Sequence, residues 1–315
     1  MRRVLGALAA LVAVVVAVAA IWLYGRLTSL EAERVGDAVH VIFGTGGNVG
    51  VLETSEGAVV VDTLTFRFQG ARVRELAAEL GGGPVQAVVN THYHQDHTHG
   101  NPGFAPGTRV VATGRTLDYR RFFDAAYWEG AAAGTLPNDR VEDVHELRIG
   151  GKTIRSHHLG RGHTGGDLVV LFVEDGVVHT GDLFFNGRYP FVDLKAGGSL
   201  PAWIATLDRV LALEFDRVIP GHGPVTDREG ILGFQRFLSE VWEAGRAAAD
   251  EGLSLEETLA RARLTEDAGY EPGGLPPFVT VGRDDVLQWA WEEATGSVVP
   301  AEVPRAASAA GEEQE

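Results

Sequence analysis

The hydrophobic positions of the chain change period several times, and each change marks an element. Residues 4–24 are uncharged throughout. A helix over them, rising about 1.5 Å per residue, would reach across the roughly 30 Å of a bilayer's hydrocarbon. Short alternating or wholly apolar runs at 38–43, 48–53 and 58–61 predict strands, with Gly44, Gly46-Gly47 and Glu56-Gly57 in the turns of an antiparallel hairpin system. Val73, Leu76, Ala77 and Leu80 recur at helical spacing, so 69–80 reads as a helix that Gly81-Gly82-Gly83-Pro84 ends. Further strands are expected at 85–89, 109–112, 146–149, 152–158, 177–180 and 217–219, with Gly150-Gly151 turning one hairpin. Helices are expected at 113–126, 200–213, 231–249, 253–262 and 284–293. Residues 127–143 pass from aromatic to Ala/Gly-rich to polar and read as an irregular insertion that covers a site. Residues 272–277 read as a loop. From Thr295 onward the Ala/Glu/Pro/Ser composition predicts a disordered tail.

Composition narrows the picture. The chain has 315 residues, 45% hydrophobic and 22% charged, enough to bury a core. Its formal net charge of −16 argues against a nucleic-acid partner, and no segment points to a protein partner. It has no cysteine, which excludes disulfides and thiolate metal ligands. Arg2-Arg3 before the first apolar run favour an N-terminus held in the cytoplasm, with the remainder outside the membrane. Two readings of that run stand. Trp22 and Tyr24 suit the membrane interface of a retained anchor, and Ala17-Val18-Ala19 suits the cleavage site of a signal peptide. The expected division is an anchor or signal segment over 1–27, a linker over 28–37, a single chemistry-bearing domain over 38–296 and a tail over 297–315.

The candidate chemistry begins directly after the strand at 85–89, in Thr91-His92-Tyr93-His94-Gln95-Asp96-His97. Imidazole and carboxylate are the donors that borderline divalent cations choose. His92 and His94 can face one cation, and Asp96 and His97 a second. Three more candidates each follow a strand: His163 in Gly162-His163-Thr164-Gly165-Gly166-Asp167, Asp182 in Gly181-Asp182, and His222 in Gly221-His222-Gly223. Side chains at successive strand ends converge on one rim of a sheet. The tally is His92, His94 and His163 for one cation, and Asp96, His97 and His222 for the other, with Asp182 using both oxygens between them. Asp62 ends a strand and reads either as an acid orienting a ligand histidine or as a turn residue, and Asp167 is the other candidate for such an acid. The remaining histidines read as structural; His99, two residues past the motif, is the best exception, and His179, three before Asp182, is a candidate to orient a ligand.

In order and spacing, His92-x-His94-x-Asp96-His97, Gly162-His163-Thr164, Gly181-Asp182 and Gly221-His222-Gly223 resemble the signature of the metallo-β-lactamase superfamily. The turn at Gly46-Gly47-Asn48 and Val61-Asp62-Thr63 are similar to it too, and the resemblance runs from 38 to about 250. It implies an α/β fold, an αβ/βα four-layer sandwich of two mixed sheets with helices outside, and a site for two Zn²⁺, with Fe or Mn as alternatives. The activity implied is attack of a metal-activated water on an ester, thioester, lactone or amide of a small-molecule substrate, with Asp96 orienting the water and later helping to protonate the leaving group. Asp182 stands where the commonest zinc β-lactamases carry Cys, and Phe185 where they often carry Lys, which turns the expectation from β-lactams toward other substrates. Arg188 or Lys195 would have to replace that cation. The basic glutathione-binding pattern of glyoxalase II and the extra domain of the superfamily's nucleases are not evident. An iron-dependent sulfur dioxygenase and a non-catalytic metal-binding protein are the competing classes. Phe185, Asn186 and Tyr127 are the expected substrate contacts, in walls rich in aromatic residues.

Overall fold

The computed structural model describes residues 2–275 and 279–305. Helix α1 (Arg2–Thr28) precedes the four strands β1 (Glu31–Arg34), β2 (Val39–Phe43), β3 (Val49–Thr54) and β4 (Gly57–Val61). Then come α2 (Arg67–Leu80), β5 (Val85–Val89), the one-turn helix α3 (Gln95–Thr98), β6 (Arg109–Thr113), α4 (Gly114–Phe123) and β7 (Asp139–Val141). The second half runs β8 (Val144–Ile149), β9 (Lys152–His157), β10 (Val169–Phe172), β11 (Val177–His179), α5 (Leu200–Leu211), β12 (Arg217–Ile219), α6 (Arg228–Asp250), α7 (Leu255–Arg261), β13 (Gly273–Leu275), β14 (Val279–Val281) and α8 (Arg283–Thr295).

Strands β1 to β7 form one sheet in chain order, antiparallel up to β4 and parallel from there. The other main sheet has the order β12-β11-β10-β9-β8, with only β11 and β12 parallel. Period-two alternation assigns each face. Val59 and Val61 point inward with Val89 and Val111 against Ile154, Val170, Phe172 and Ile219 of the facing sheet. Ala58 and Val60 point outward onto Val73 and Ala77 of α2. On the far side, Val169, Leu171, Val178 and Val218 pack against Trp203 of α5, Phe234, Phe237 and Val241 of α6, and Val286 and Ala290 of α8. The result is helix, sheet, sheet, helices: the metallo-β-lactamase fold expected from the sequence, with two mixed sheets.

Several expectations needed correction. The linker at 28–37 contains β1, whose residues are all exposed and whose pairing with β2 carries no apolar signal. Strand β10 lacked a polar alternation to reveal it, because both faces are buried. The loop at 272–277 begins with β13 of a small hairpin, and residues 276–278 lie outside the described residues. The insertion at 127–143 ends in β7, which pairs parallel with β6 at the sheet edge. The tail is ordered to 305: Val303 is buried beside Tyr119, Ala301 N–H bonds to Lys195 O at 2.8 Å, and Arg115 donates to Val303 O at 3.2 Å. The rest of that expected tail lies outside the described residues.

Side chains of the first helix are described from Leu11 to Gly25, where all are exposed; those up to Ala10 are outside the described set. Among the described residues no helix is long and apolar enough to cross a membrane. The foot of α1 rests on α2, where Gln69 Nε2 donates to Leu27 O at 2.8 Å and Tyr24 lies 5.9 Å from Phe68 between ring centroids.

Candidate metal centre

Five segments arrive at one rim. The turn after β5 leads into α3, whose N-cap is His94. His163 lies in the loop between β9 and β10, Asp182 follows β11, His222 follows β12, and the β2–β3 turn passes close beside them. Two glycines make this convergence possible. A Cβ on Gly47 would stand 2.1 Å from the His97 ring, and one on Gly221 would stand 2.0 Å from Asp182 Oδ1. Asn48 locks the arrangement by donating to Pro220 O at 2.9 Å and Gly223 O at 2.8 Å on either side of His222.

The donors fall into two groups, His92, His94, His163 and Asp182, and Asp96, His97 and His222, within each of which the ligand atoms lie within 4.8 Å of one another. The hydrogen bonds on the outer ring nitrogens fix the tautomers. His92 Nδ1 donates to Thr91 Oγ1 at 3.0 Å, His94 Nε2 to Asp193 Oδ2 at 3.0 Å, His163 Nδ1 to Phe191 O at 2.7 Å, and His97 Nδ1 to Asp62 Oδ2 at 2.8 Å. With the outer nitrogens of neutral His92 and His163 protonated, their inner nitrogens carry lone pairs. His94 Nδ1 nonetheless lies 3.1 Å from His92 Nε2 and 2.8 Å from His163 Nε2. Lone pairs that close repel unless a cation sits among them. Asp182 reaches both groups: its Oδ1 lies 3.0 Å from His97 Nε2 and 3.4 Å from His222 Nε2. Its Oδ2 faces the other group, 3.4 Å from His163 Nε2 and 3.8 Å from His92 Nε2. The nitrogen and oxygen donors of this set therefore fit metal ligation.

Charge separates the two groups. Burial holds His163 down to about 4, and burial together with the neighbouring His97 holds His92 well below its ordinary value. For His222, burial is outweighed by Asp182 and Asp96, which push it up to about 9. Asp182, Asp96 and Asp62 overcome burial in the same way to raise His97. Asp96 is itself held below the usual carboxylate range, because His97 and His222 outweigh burial.

The orienting groups match expectation only in part. Asp62, at φ +64 and fully buried, accepts from His97 Nδ1 and from both N and Oγ1 of Thr91, at 2.8 and 2.7 Å. A left-handed aspartate is strained backbone held in place by these bonds. Asp167 does not touch a ligand ring. It accepts from Gly162 N at 3.1 Å and from Thr164 N at 2.9 Å, so it shapes the loop that carries His163. Asp193, Thr91 and the Phe191 carbonyl take the role foreseen for it. Asp193 also accepts from Tyr93 Oη at 2.5 Å. Nothing in the sequence around Asp193 marked it, whereas Thr91 lay in plain view beside His92. His179 bonds Asn48 O and Gly181 N and braces the turn under Asp182.

A cavity of about 470 Å³ opens over the donors, and a second of about 540 Å³ adjoins it beyond His222. Phe185 lines both and stacks on His222 with centroids 5.2 Å apart. Asn186 and Tyr127 line neither. Asn186 faces the protein surface and donates to Pro224 O at 2.8 Å, bracing the His222 loop. Tyr127 lies parallel to the His99 ring with centroids 3.5 Å apart, so its apolar face is spent on packing. Arg188 lines the second cavity, 3.6 Å from Glu271. Lys195 lines neither.

Comparison with known proteins follows this geometry. The family model described as Metallo-beta-lactamase superfamily matches residues 42–222. The chain is 23% identical over 271 residues to a linear primary-alkylsulfatase of Pseudomonas sp., covering 70% of this chain and 51% of that one. It is 27% identical over 236 residues to the alpha subunit of a 2,4-dinitroanisole O-demethylase of Nocardioides sp., covering 72% and 68%. The chain thus spans about half the length of the alkylsulfatase. Among solved structures, a metallo-beta-lactamase from Pontibacter korlensis superposes with a TM-score of 0.59 at 21% identity, over 67% of this chain and 99% of that one.

Proposed function

The chain belongs to the metallo-beta-lactamase superfamily, and from that premise we propose that it is a metal-dependent hydrolase that uses two Zn²⁺ to cleave an ester, thioester, lactone or amide of a small molecule. The observation that carries this reading is Asp182, whose two oxygens face the two donor groups separately. His92, His94 and His163 would hold one cation, Asp96, His97 and His222 the other, with Asp182 between them. When bound, such a pair supplies an activated water near neutral pH and polarises the bond to be broken.

The chain's own residues do the rest. Asp96 lines the cavity, and its Oδ2 lies 3.2 Å from His222 Nε2. It takes the proton as the water oxygen joins the acyl carbon, and returns it to the leaving oxygen, sulfur or nitrogen as that bond breaks. Asp62, Thr91, Asp193 and the Phe191 carbonyl keep the ring nitrogens aimed inward while this happens. Phe185 stacks on His222 and holds that ring between the two cavities. Metal content and hydrolysis of phenyl esters and lactones by the wild type, His94→Ala and Asp182→Ala test the reading. Two zincs per chain with activity, and loss of both in the variants, is the expected result; equal hydrolysis by all three sinks it.

The same proposal places the domain outside a membrane. Support comes from the uncharged run at 4–24, the arginines before it and the exposed side chains of α1 from Leu11 to Tyr24. Protease accessibility of the domain in intact cells, with membrane fractionation, tests both the placement and whether the segment is retained or cleaved.

A further inference from the structure

The hydrolase reading leaves the substrate open, and the wall of the cleft narrows it. Away from the donors, the cavity over His94 and His163 is bounded by Phe123, Phe185, Tyr189, Phe191, Val279 and Val281. The rings are held in place by other rings. Phe123 stacks on Tyr93 with centroids 5.7 Å apart, and Phe191 meets Trp289 edge-on at 4.9 Å. Among the described residues no lysine or arginine lines this cavity, and its charged groups besides the donor histidines are the carboxylates Asp96, Asp124 and Asp182. Asp124 is already engaged by His99 Nε2 at 2.5 Å. Arg188 lies in the adjoining cavity, facing Glu271 and donating to Pro272 O.

We infer that the substrate presents an uncharged aromatic or branched apolar group to this wall, and that a carboxylate or sulfate carried in its place is rejected. The inference rests on the hydrolase reading of the same site. Its physical basis is the absence of compensation. An anion entering here exchanges water for aromatic and aliphatic side chains that bring no cation, and for a carboxylate at the rim. Cations at the donors would not relieve this, because they sit at the floor where the reacting bond goes, and the wall receives the remote group. An apolar remote group instead buries its surface there, and that binding energy can be used to position the reacting bond. The volume of about 470 Å³ suits a ring with a short linker.

Two measurements test this on the full-length chain, with Val279→Arg as the variant, since Val279 is exposed on β14 and a cation there faces the wall without disturbing the core. The first is binding of N-benzyl phenylacetamide and of the same amide with a carboxylate on its phenylacetyl ring to the metal-stripped protein, followed by calorimetry. The second is kcat/KM of the zinc-loaded protein for p-nitrophenyl phenylacetate and its ring-carboxylated analogue. The uncharged member is expected to win each pair by about tenfold or more, and Val279→Arg to narrow both ratios. Equal or inverted preference in binding overturns the inference. Preferential binding of the uncharged amide with neither ester hydrolysed supports the selection of charge and overturns the hydrolase reading. Carboxylated and uncharged esters turned over alike overturn the inference and leave the hydrolase reading intact.

Discussion

The two donor groups of this site are built from similar residues and differ in what they contain when no cation is bound. Around His92, His94 and His163 the rings are tied by single outward hydrogen bonds, and burial keeps His92 and His163 neutral. Around Asp96, His97 and His222 the carboxylates win, and both histidines hold protons. A cation enters the first group against little proton competition. In the second it must displace protons before the rings can act as ligands. Asp182 belongs to both, so filling the first group changes the charge that the second one sees. The difference teaches that binding at the two places need not be equal, and that pH acts mainly on the second.

The largest effect should come from removing one donor on each side. His163→Ala is expected to lose both cations, because the second group depends on Asp182 being held by a filled first group. His222→Ala should retain one cation per chain. Hydrolysis falls by about 10³-fold in both, roughly 4 kcal/mol of transition-state stabilisation. Metal analysis of the dialysed variants separates them, and one retained cation in His163→Ala with none in His222→Ala would reverse the comparison.

Next in size is the pH response. His222 in the folded, stripped protein lies at about 9, above its ordinary 6.5. A raised pKa means that its contribution to stability is fully present below about 6.5 and is lost as pH rises through about 9. The melting temperature of the stripped protein should therefore fall between these values. Cation affinity of the second group should rise over the same window, by about tenfold per pH unit for each proton displaced. Calorimetric titration with zinc at pH 6.5, 7.5 and 8.5 measures this. A second binding event that is independent of pH would show that His222 enters the site unprotonated.

Much of this centre was legible in the sequence, and the reason is local. All seven of its donors are histidines or acids flanked by glycine or packed in one short motif, and the strands before them have apolar runs. The parts that were hidden depend on distance. Asp193 reaches His94 from a loop far along the chain, with no periodicity or spacing to connect them. Asp167 has the proximity to His163 that suggests an orienting acid, but its carboxylate is occupied by the backbone of its own loop. In the fold, β1 and β13 escaped because they are short and exposed or glycine-rich, so pairing with a neighbour makes them strands while their own sequence does not.

The orienting carboxylates sharpen the comparison at a smaller scale. Asp193→Asn weakens the partner of His94 in the first group, and Asp62→Asn weakens the partner of His97 in the second. Asparagine tolerates the left-handed backbone at position 62, so the loss is confined to the carboxylate. Each substitution should cost about 10- to 100-fold in cation affinity at its own group. Asp62→Asn should also lower the pKa of His97, since one of the three carboxylates raising it is gone. Histidine titration by NMR in the stripped protein reads that shift, which a merely structural role for Asp62 would not produce. A loss confined to the opposite group in either variant would break the assignment.

The smallest expected effect concerns the loop that presents His222. Two amides brace it: Asn48, buried, with bonds to Pro220 O and Gly223 O, and Asn186, half-buried, with one exposed bond to Pro224 O. An exposed neutral hydrogen bond contributes about 0.5 kcal/mol, the low end for such bonds, since water replaces it when the side chain is cut back. The Asn186 backbone N–H still bonds His222 O at 2.9 Å after truncation, so the loop keeps its register. Asn186→Ala should therefore change cation affinity of the second group by no more than about threefold. Asn48→Ala leaves one buried and one half-buried carbonyl without this donor and should cost considerably more. Zinc titration of the two variants side by side decides it. A change above tenfold in Asn186→Ala would mean that the His222 loop is held from the surface rather than from the β2–β3 turn, and that the second group is softer than its buried contacts imply.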